Sequence, residues 1–541
     1  MNRLSVLRQP GQSAFFHAVA AVVPLLLSFG CANAGNESTD EALDAPIGEA
    51  VAALDPIGVC NQDPRVNSGM VPLAVCAGAR VFFDETFAGN GRTCGSCHPA
   101  ANNYTIDVMF TSTLPPTDPL FVADNPAFDL STLETPALKT VEATVRENVD
   151  GFEDVAHKFV SRAVSHTLSL ATSIARDPTD GTGSAVTQRT GWGGDGSPGD
   201  GSLRSFLDGA IKQHYTKDPA RTPGSSFRFA TNAEKDQVLA FQLAVGRTAD
   251  INLAAVTLAD PVAAAGKAAF MDPFVGRCNE CHSNAGANAL VGGKNRNFNT
   301  GTFEAPASQT GTFADGSPMF DAGFGGQGLT NPNFNTLAAN GAFDSFGNGT
   351  FSPPPLIEAA DTGPFFHTHA FGQSFDPRQT IESGVSFYAT SLFLDSAAAQ
   401  ELNAKFGAPV NVGPFIGQIG RFLRVLNVSF NLAIAKQRMD ASRTLNIQYW
   451  GYRDDIQKGL LKLASEEIDD AQKVLEFGSG LHVPQQAILA NARTLLAEAV
   501  AATDPAVRKS KTESAIALVV SVRSALGTNM NFTLGSGNLM F

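Results

Sequence analysis

The chain has 541 residues, 38 Lys and Arg against 52 Asp and Glu, and a formal net charge of −14. That balance argues against a nucleic-acid-binding surface and leaves room for a basic partner. No internal stretch is apolar over the length a bilayer requires, so a transmembrane segment is not expected, and the length predicts two to four domains with ample material for a core.

Residues 1–34 read as an export signal. Arg3 and Arg8 give a basic start, Ala14 to Phe29 an apolar run, and Ala32-Asn33-Ala34 a cleavage site before Gly35. This predicts a soluble periplasmic or secreted protein. Cys31 leaves a lipoprotein as the alternative, for which Ser28 is a poor neighbour. Residues 35–75 are polar and form a tail or wrapping segment. Cys60 and Cys76 are an even pair left over from the motifs below, which in an oxidising compartment predicts a disulfide; two buried free thiols are the alternative.

A first domain is expected over 76–250 and a second over 251–432. Ala74 to Phe87 reads as a helix. Leu138 to Arg176 has helical spacing in Val141, Val145, Val155, Phe159, Ala163 and Leu168. A glycine-rich loop from Gly181 to Gly201 contains Trp192, and helices follow at Leu203 to Tyr215 and Ala233 to Arg247. Asp260 to Phe270 is another helix. Residues 284–350, rich in Asn, Gly and Phe, read as a long covering loop or an insertion. Helices resume at Thr380 to Leu394 and Val412 to Leu432. Residues 433–541 form a helical C-terminal extension: Asp454 to Phe477 is amphipathic, Pro484 opens a second helix and Asp504-Pro505 a third. It offers no ligand set, and packing or docking is its expected role.

The chemistry lies in one pentapeptide that occurs twice, Cys94-Gly-Ser-Cys97-His98 and Cys278-Asn-Glu-Cys281-His282. Cys-x-x-Cys-His is the attachment signature of c-type haem: the thiols bond the macrocycle and the adjacent imidazole ligates the iron. A zinc site or redox dithiol would not need a histidine after each pair. Two covalently bound haems are therefore expected, held by Cys94, Cys97, Cys278 and Cys281, with His98 and His282 on the irons. The halves also resemble each other beyond the motifs. Ser165-His166-Thr167-Leu168, Gly191-Trp192-Gly193-Gly194-Asp195-Gly196 and Ser202-Leu203-Arg204 in the first parallel Ser352-Pro353-Pro354-Pro355-Leu356, Pro364-Phe365-Phe366-His367 and Gln379-Thr380-Ile381-Glu382 in the second, as an internal duplication predicts.

Over roughly residues 75–430 these segments resemble the bacterial di-haem cytochrome c peroxidase superfamily. That group includes the di-haem enzyme that matures methylamine dehydrogenase and the rubber oxygenases. The resemblance implies a mainly α fold of two cytochrome c-type domains with long irregular loops, their haems facing a shared interface. It implies Trp192 as the aromatic bridge for electrons, and it would fit a calcium ion between the domains, although the residues offer no dependable ligand set.

Family peroxidases gain a second histidine soon after the first motif. Here Pro99 to Asp154 contains none, leaving Tyr104 and Met109 as the nearest candidates, so the first haem is expected to be open. His157, His166 and His214 are the imidazoles available in that half to move protons. The family's Pro-x-Glu-Met acid segment is missing, with Ile211-Lys212-Gln213-His214 in its place, and Phe206 and Leu207 could make the pocket apolar. For the second iron, the family position of the sixth ligand falls on Tyr388, with His367 and His369 as rivals. The expected function is a di-haem oxidoreductase that reacts peroxide or dioxygen at the first haem, with Trp192, His214 and His166 assisting. The second haem would relay electrons from a small redox protein. The alternatives are a non-enzymatic electron carrier and a dioxygenase of an apolar polymer or lipid.

Overall fold

The computed structural model describes residues 55–124, 128, 130, 136–148, 159–174, 191–192, 202–291, 296–304, 321, 349–370, 381–449, 451, 453–478 and 480–541. The expected export signal, Cys31 and His157 lie outside them. The described residues are mainly helical, with two short antiparallel strand pairs.

In the first half α1 (Leu73–Asp84) precedes the one-turn α2 (Cys94–Cys97). α3 (Pro136–Glu142), β1 (Thr144–Glu147), β2 (Val160–Ala163), α4 (Leu203–His214) and α5 (Asn232–Gln242) follow. The second half contains β3 (Thr257–Leu258), α6 (Pro261–Met271), the one-turn α7 (Cys278–Cys281), α8 (Ile381–Ser386) and α9 (Ile416–Gln448). α10 (Asp454–Glu476), α11 (Val483–Ala501), α12 (Pro505–Leu526) and β4 (Gly527–Thr528) complete the chain, and β4 returns to pair with β3. Helix starts follow local chemistry. Thr231 and Glu234 form a capping box on α5, and Asp260 caps α6 ahead of Pro261 by accepting from the Ala263 N–H at 2.7 Å.

The halves repeat one crossing. A Cβ on Gly78 of α1 would lie 1.8 Å from the Gln237 carbonyl oxygen of α5, and one on Gly266 of α6 would lie 1.8 Å from the Gln418 carbonyl oxygen of α9. Each helix that leads into a Cys-x-x-Cys-His motif thus meets its partner backbone to backbone, an approach that a side chain would block. The disulfide Cys60–Cys76 ties the N-terminal turns to α1. A buried set joins the halves: Ser169 Oγ and Arg247 Nε both donate to Glu358 Oε1, at 2.5 and 2.8 Å.

Three expected elements differ. The helix expected over Leu138–Arg176 ends at Glu142, because Ala143 turns left-handed at φ 52°. A hairpin follows, with Val145 opposite Arg162 and Glu147 opposite Val160. The misleading spacing of four in Val141–Val145 and Phe159–Ala163 keeps residues on one face of a helix and also on one face of a strand. The helix expected over Thr380–Leu394 is interrupted by a 3-10 turn at Phe387–Ala389 and extended backbone at Thr390 (ψ 160°). The boundary expected at 432/433 falls inside α9, which runs unbroken for 33 residues, about 50 Å at 1.5 Å per residue. No Gly or Pro occurs between Arg421 and Gln448 to stop it. α9 therefore packs against α6 and α8 as well as α10 and α12.

Candidate functional site

The two motifs adopt the same local geometry. α2 and α7 each make one helical turn, and the histidine after each leaves it at φ −121°, ψ 60° for His98 and φ −120°, ψ 61° for His282. Each His N–H donates to the first cysteine's carbonyl, at 2.9 Å to Cys94 and 2.8 Å to Cys278. Each motif is followed by a left-handed pair, Asn103 and Tyr104 at φ 55° and 56°, and Asn284 and Ala285 at φ 58° and 57°. The imidazoles are anchored alike. His98 Nδ1 lies 2.9 Å from the Tyr104 carbonyl oxygen, and His282 Nδ1 lies 3.0 Å from that of Pro354 and 3.3 Å from that of Gly286. A carbonyl can only accept, so both rings carry the proton on Nδ1 and keep the Nε2 lone pair for a metal. Burial pushes both down to about 4, against the pull of those carbonyls, so they are neutral at physiological pH.

The four motif thiols are not paired as disulfides. Burial pushes Cys94 up to about 11 and Cys278 and Cys281 up to about 12; the Tyr215 hydroxyl donates to Cys94 Sγ at 3.0 Å. Among the described residues no three His, Cys, Asp or Glu side chains converge on a common point. The cysteines are therefore not arranged as one zinc site. The donor set instead suits a metal that brings most of its own ligands, since each motif offers one imidazole nitrogen as a ligand and two thiols that would bond the group around the metal.

Each motif opens on its own cavity. The first, lined by Cys97 and His98, has about 1080 Å³ of empty space counted to its open mouth, and the second, lined by Cys278, Cys281 and His282, about 1420 Å³. Val164, Ser165, His166 and Trp192 line both cavities and form a common wall. Trp192 is held there by donating Nε1–H to the Ala163 carbonyl at 3.0 Å, and its ring centroid is 6.5 Å from that of His367. His166, in the same wall, has a buried Nδ1 without a hydrogen-bond partner.

The first cavity carries charged groups among its apolar lining. Phe206 lines it, whereas Leu207 turns into the core. His214, Gln213, Glu147 and Arg162 also face it. Arg162 Nη1 donates to Glu147 Oε2 at 3.0 Å, and its Nε and Nη2 grip Asp321 at 2.6 and 2.7 Å. His214 Nε2 is 3.8 Å from Glu147 Oε1. Burial raises the Glu147 pKa, but Arg162 and His214 outweigh it and hold the carboxylate below its usual range. Glu147 is a cavity-lining carboxylate that the sequence did not single out. It comes from β1, opposite Arg162's strand β2. Tyr104 and Met109 do not line this cavity: Tyr104 serves His98 from behind through its carbonyl, and Met109 is exposed on the surface.

The second cavity brings together Tyr388, His367 and His369 with His282. Burial, then the neighbouring Cys281 and Cys278, push the Tyr388 hydroxyl well above its usual value; a cation in the cavity would reverse that preference. His367 stacks on Phe351 with ring centroids 3.9 Å apart, and its buried Nε2 has no hydrogen-bond partner. Its Nε2 lies 3.8 Å from Asp321 Oδ2. His369 Nδ1 lies 2.9 Å from the Glu142 carbonyl, the same anchoring that His98 and His282 have.

Cys97, His98, His166, Trp192, His214, Cys278, Cys281, His282 and Tyr388 thus line one or both of two adjoining cavities, Cys94 lies in the turn beside one, and Tyr104, Met109 and Leu207 line neither. No helix among the described residues is long and apolar enough to cross a membrane. No protein family matches this chain, and neither curated proteins nor solved structures give a match.

Proposed function

We propose that this chain is a di-haem c-type oxidoreductase, exported from the cytoplasm, that reduces peroxide or activates dioxygen at the His98 site and draws electrons through the His282 site. The observation that carries the reading is the repeated anchor: two Cys-x-x-Cys-His turns of one geometry, each with Nδ1 tied to a carbonyl, open on cavities that share a wall containing Trp192. The resemblance to the di-haem peroxidase superfamily and the Cys60–Cys76 disulfide support it, the latter as a mark of an oxidising compartment.

When bound, the haems supply redox-active iron at each histidine. The residues around them do the rest. His214 Nε2 and Glu147 sit where a proton can be taken from one oxygen and handed to the other, so that peroxide, two electrons and two protons end as two waters. Arg162 keeps Glu147 ionised and adds positive charge where oxygen gains negative charge. Trp192 lies between the cavities as the electron path. Tyr388 is the leading sixth ligand for the second iron, with His367 and His369 as rivals. The charged lining of the first cavity favours a small polar oxidant over an apolar polymer. The acidic chain suits a basic redox protein as donor.

A pyridine haemochrome assay is expected to find two haems per chain, with carbon monoxide or cyanide binding to one of them. Absence of haem overturns the reading. Two haems that are both six-coordinate and indifferent to peroxide and added ligands leave an electron carrier in its place.

A further inference from the structure

The C-terminal helices lie outside the family resemblance and supply nothing to the lining of either cavity. Their contact with the first motif is specific nonetheless. His98 Nδ1–H is received by the carbonyl of Tyr104, and that carbonyl is aimed by two successive non-glycine residues in the left-handed region, Asn103 at φ 55° and Tyr104 at φ 56°. Such backbone is unfavourable for a bulky residue such as Tyr104 and persists only where its surroundings enforce it. Within the first half the Tyr104 N–H donates to the Pro99 carbonyl at 3.0 Å and Thr105 Oγ1 to the Val164 carbonyl at 2.5 Å, and α10 adds to that enforcement. Asn103 Nδ2 donates to Asp470 Oδ2 at 3.2 Å. The Tyr104 ring is 2% exposed, packed with Phe83 and Phe241, and Phe83 in turn rests on the C-terminal Phe541 with ring centroids 4.5 Å apart. Behind the ring, Arg438 Nη1 donates to Glu467 Oε1 at 2.8 Å, while Glu467 Oε2 and the Tyr104 hydroxyl are both buried without partners. Arg438 and Glu467 are also the charges that act on that hydroxyl.

The second half is a built-in control. Its equivalent left-handed pair is secured within that half: Asn284 Oδ1 accepts from the Leu253 N–H at 3.1 Å, the Asn284 N–H donates to Asn279 Oδ1 at 2.9 Å, and the Ala285 carbonyl accepts from the Leu356 N–H at 2.9 Å.

We infer that α10 buttresses the first site: Asp470 holds Asn103 and α10 backs Tyr104, fixing the carbonyl that receives the His98 proton. This rests on His98 being an iron ligand. Asn103, Tyr104 and Asp470 are then positioning residues. The strength of the Nδ1–H···O=C bond sets the basicity of the imidazole and through it the properties of the iron.

The test uses the full-length, haem-loaded protein with Asp470→Ala, Asp470→Asn and Asn103→Gly. Glycine adopts the left-handed turn at no steric cost, so Asn103→Gly keeps the fold while releasing the tether. The readouts are the iron–imidazole stretching band of the reduced protein and the midpoint potential of each haem. Asp470→Ala and Asn103→Gly are expected to shift both quantities for the first haem and neither for the second, and Asp470→Asn, which keeps an acceptor oxygen, to restore the wild-type values. Two haems per chain with no shift, or with equal shifts at both, overturn the inference alone. A wild-type chain without haem overturns it together with the proposed function.

Discussion

Replacing Arg162 with Met is the most demanding perturbation of the site, because one guanidinium pairs with two carboxylates there. Arg162 is 3% exposed and Asp321 1%, while Glu147 retains 20%. The substitution keeps most of the side-chain volume and removes three charge-assisted hydrogen bonds, at 2.6, 2.7 and 3.0 Å. Asp321 then has no water to replace its partner. Breaking a buried pair by removing one member typically costs about 3–5 kcal/mol, which lowers the folded-to-unfolded ratio by roughly 10²–10⁴. The sign with pH follows from Glu147. Its folded pKa lies below the unfolded value of about 4.3, so in the wild type its contribution is present at neutral pH and is lost as pH falls through the folded value. Without Arg162 only His214 still opposes burial, so the folded pKa rises and the contribution of Glu147 at neutral pH shrinks. Urea unfolding followed by far-UV circular dichroism at pH 7 and pH 5 measures both effects. Arg162→Met with Asp321→Asn should recover about 2 kcal/mol, since the most buried charge is gone. A loss below about 1 kcal/mol for the single variant, or no recovery in the double, would refute the reasoning.

Trp192→Phe keeps an aromatic ring in the shared wall but loses the bond to the Ala163 carbonyl. Electron transfer between the sites should slow about tenfold, ~1.4 kcal/mol of barrier, in stopped-flow mixing of the reduced protein with peroxide; an unchanged rate sinks the bridging role. Tyr388→Phe should change the electron paramagnetic resonance signal of the second iron only and raise its potential, because a phenolate stabilises ferric iron. An unaltered spectrum transfers the ligand role to His367 or His369. Burial pushes His367 and His369 down to about 4, against roughly 6.5 in the unfolded chain. Between those values the unfolded state binds more protons, so stability falls as pH falls from 6.5 to 4, by on the order of 3 kcal/mol per histidine. His369→Gln should make the urea midpoint less sensitive to pH over that window, and a wild-type midpoint flat from pH 7 to pH 5 would contradict the burial argument.

What could be read in advance was local. The Cys-x-x-Cys-His pairs carry their meaning in five consecutive residues, and Trp192 was marked by the glycines around it. His166, His214 and Tyr388 all reached the cavities expected of them. Glu147 and Arg162 escaped notice because neither differs in sequence from an ordinary surface charge. They become a pair only when β1 and β2 form a ladder, and the i, i+4 spacing around them fits helix and strand equally. The continuity of α9 was legible in principle, since 28 residues from Arg421 to Gln448 contain no helix breaker. The change of composition near 433 obscured it. The role of the C-terminal helices was not legible at all, as Asn103 and Asp470 are 367 residues apart.

The half-buried motif sulfurs bear on how the protein is made. A thiol that titrates near 12, as Cys278 and Cys281 do in the folded chain, is almost wholly protonated at neutral pH and a poor nucleophile. Cys94, at about 11 and covered by the Tyr215 hydroxyl, is little better. Since both cavities share a wall, neither half can close independently around its contents. A covalent bond to these sulfurs would therefore form more readily before the chain folds around them, and folding would then enclose the product.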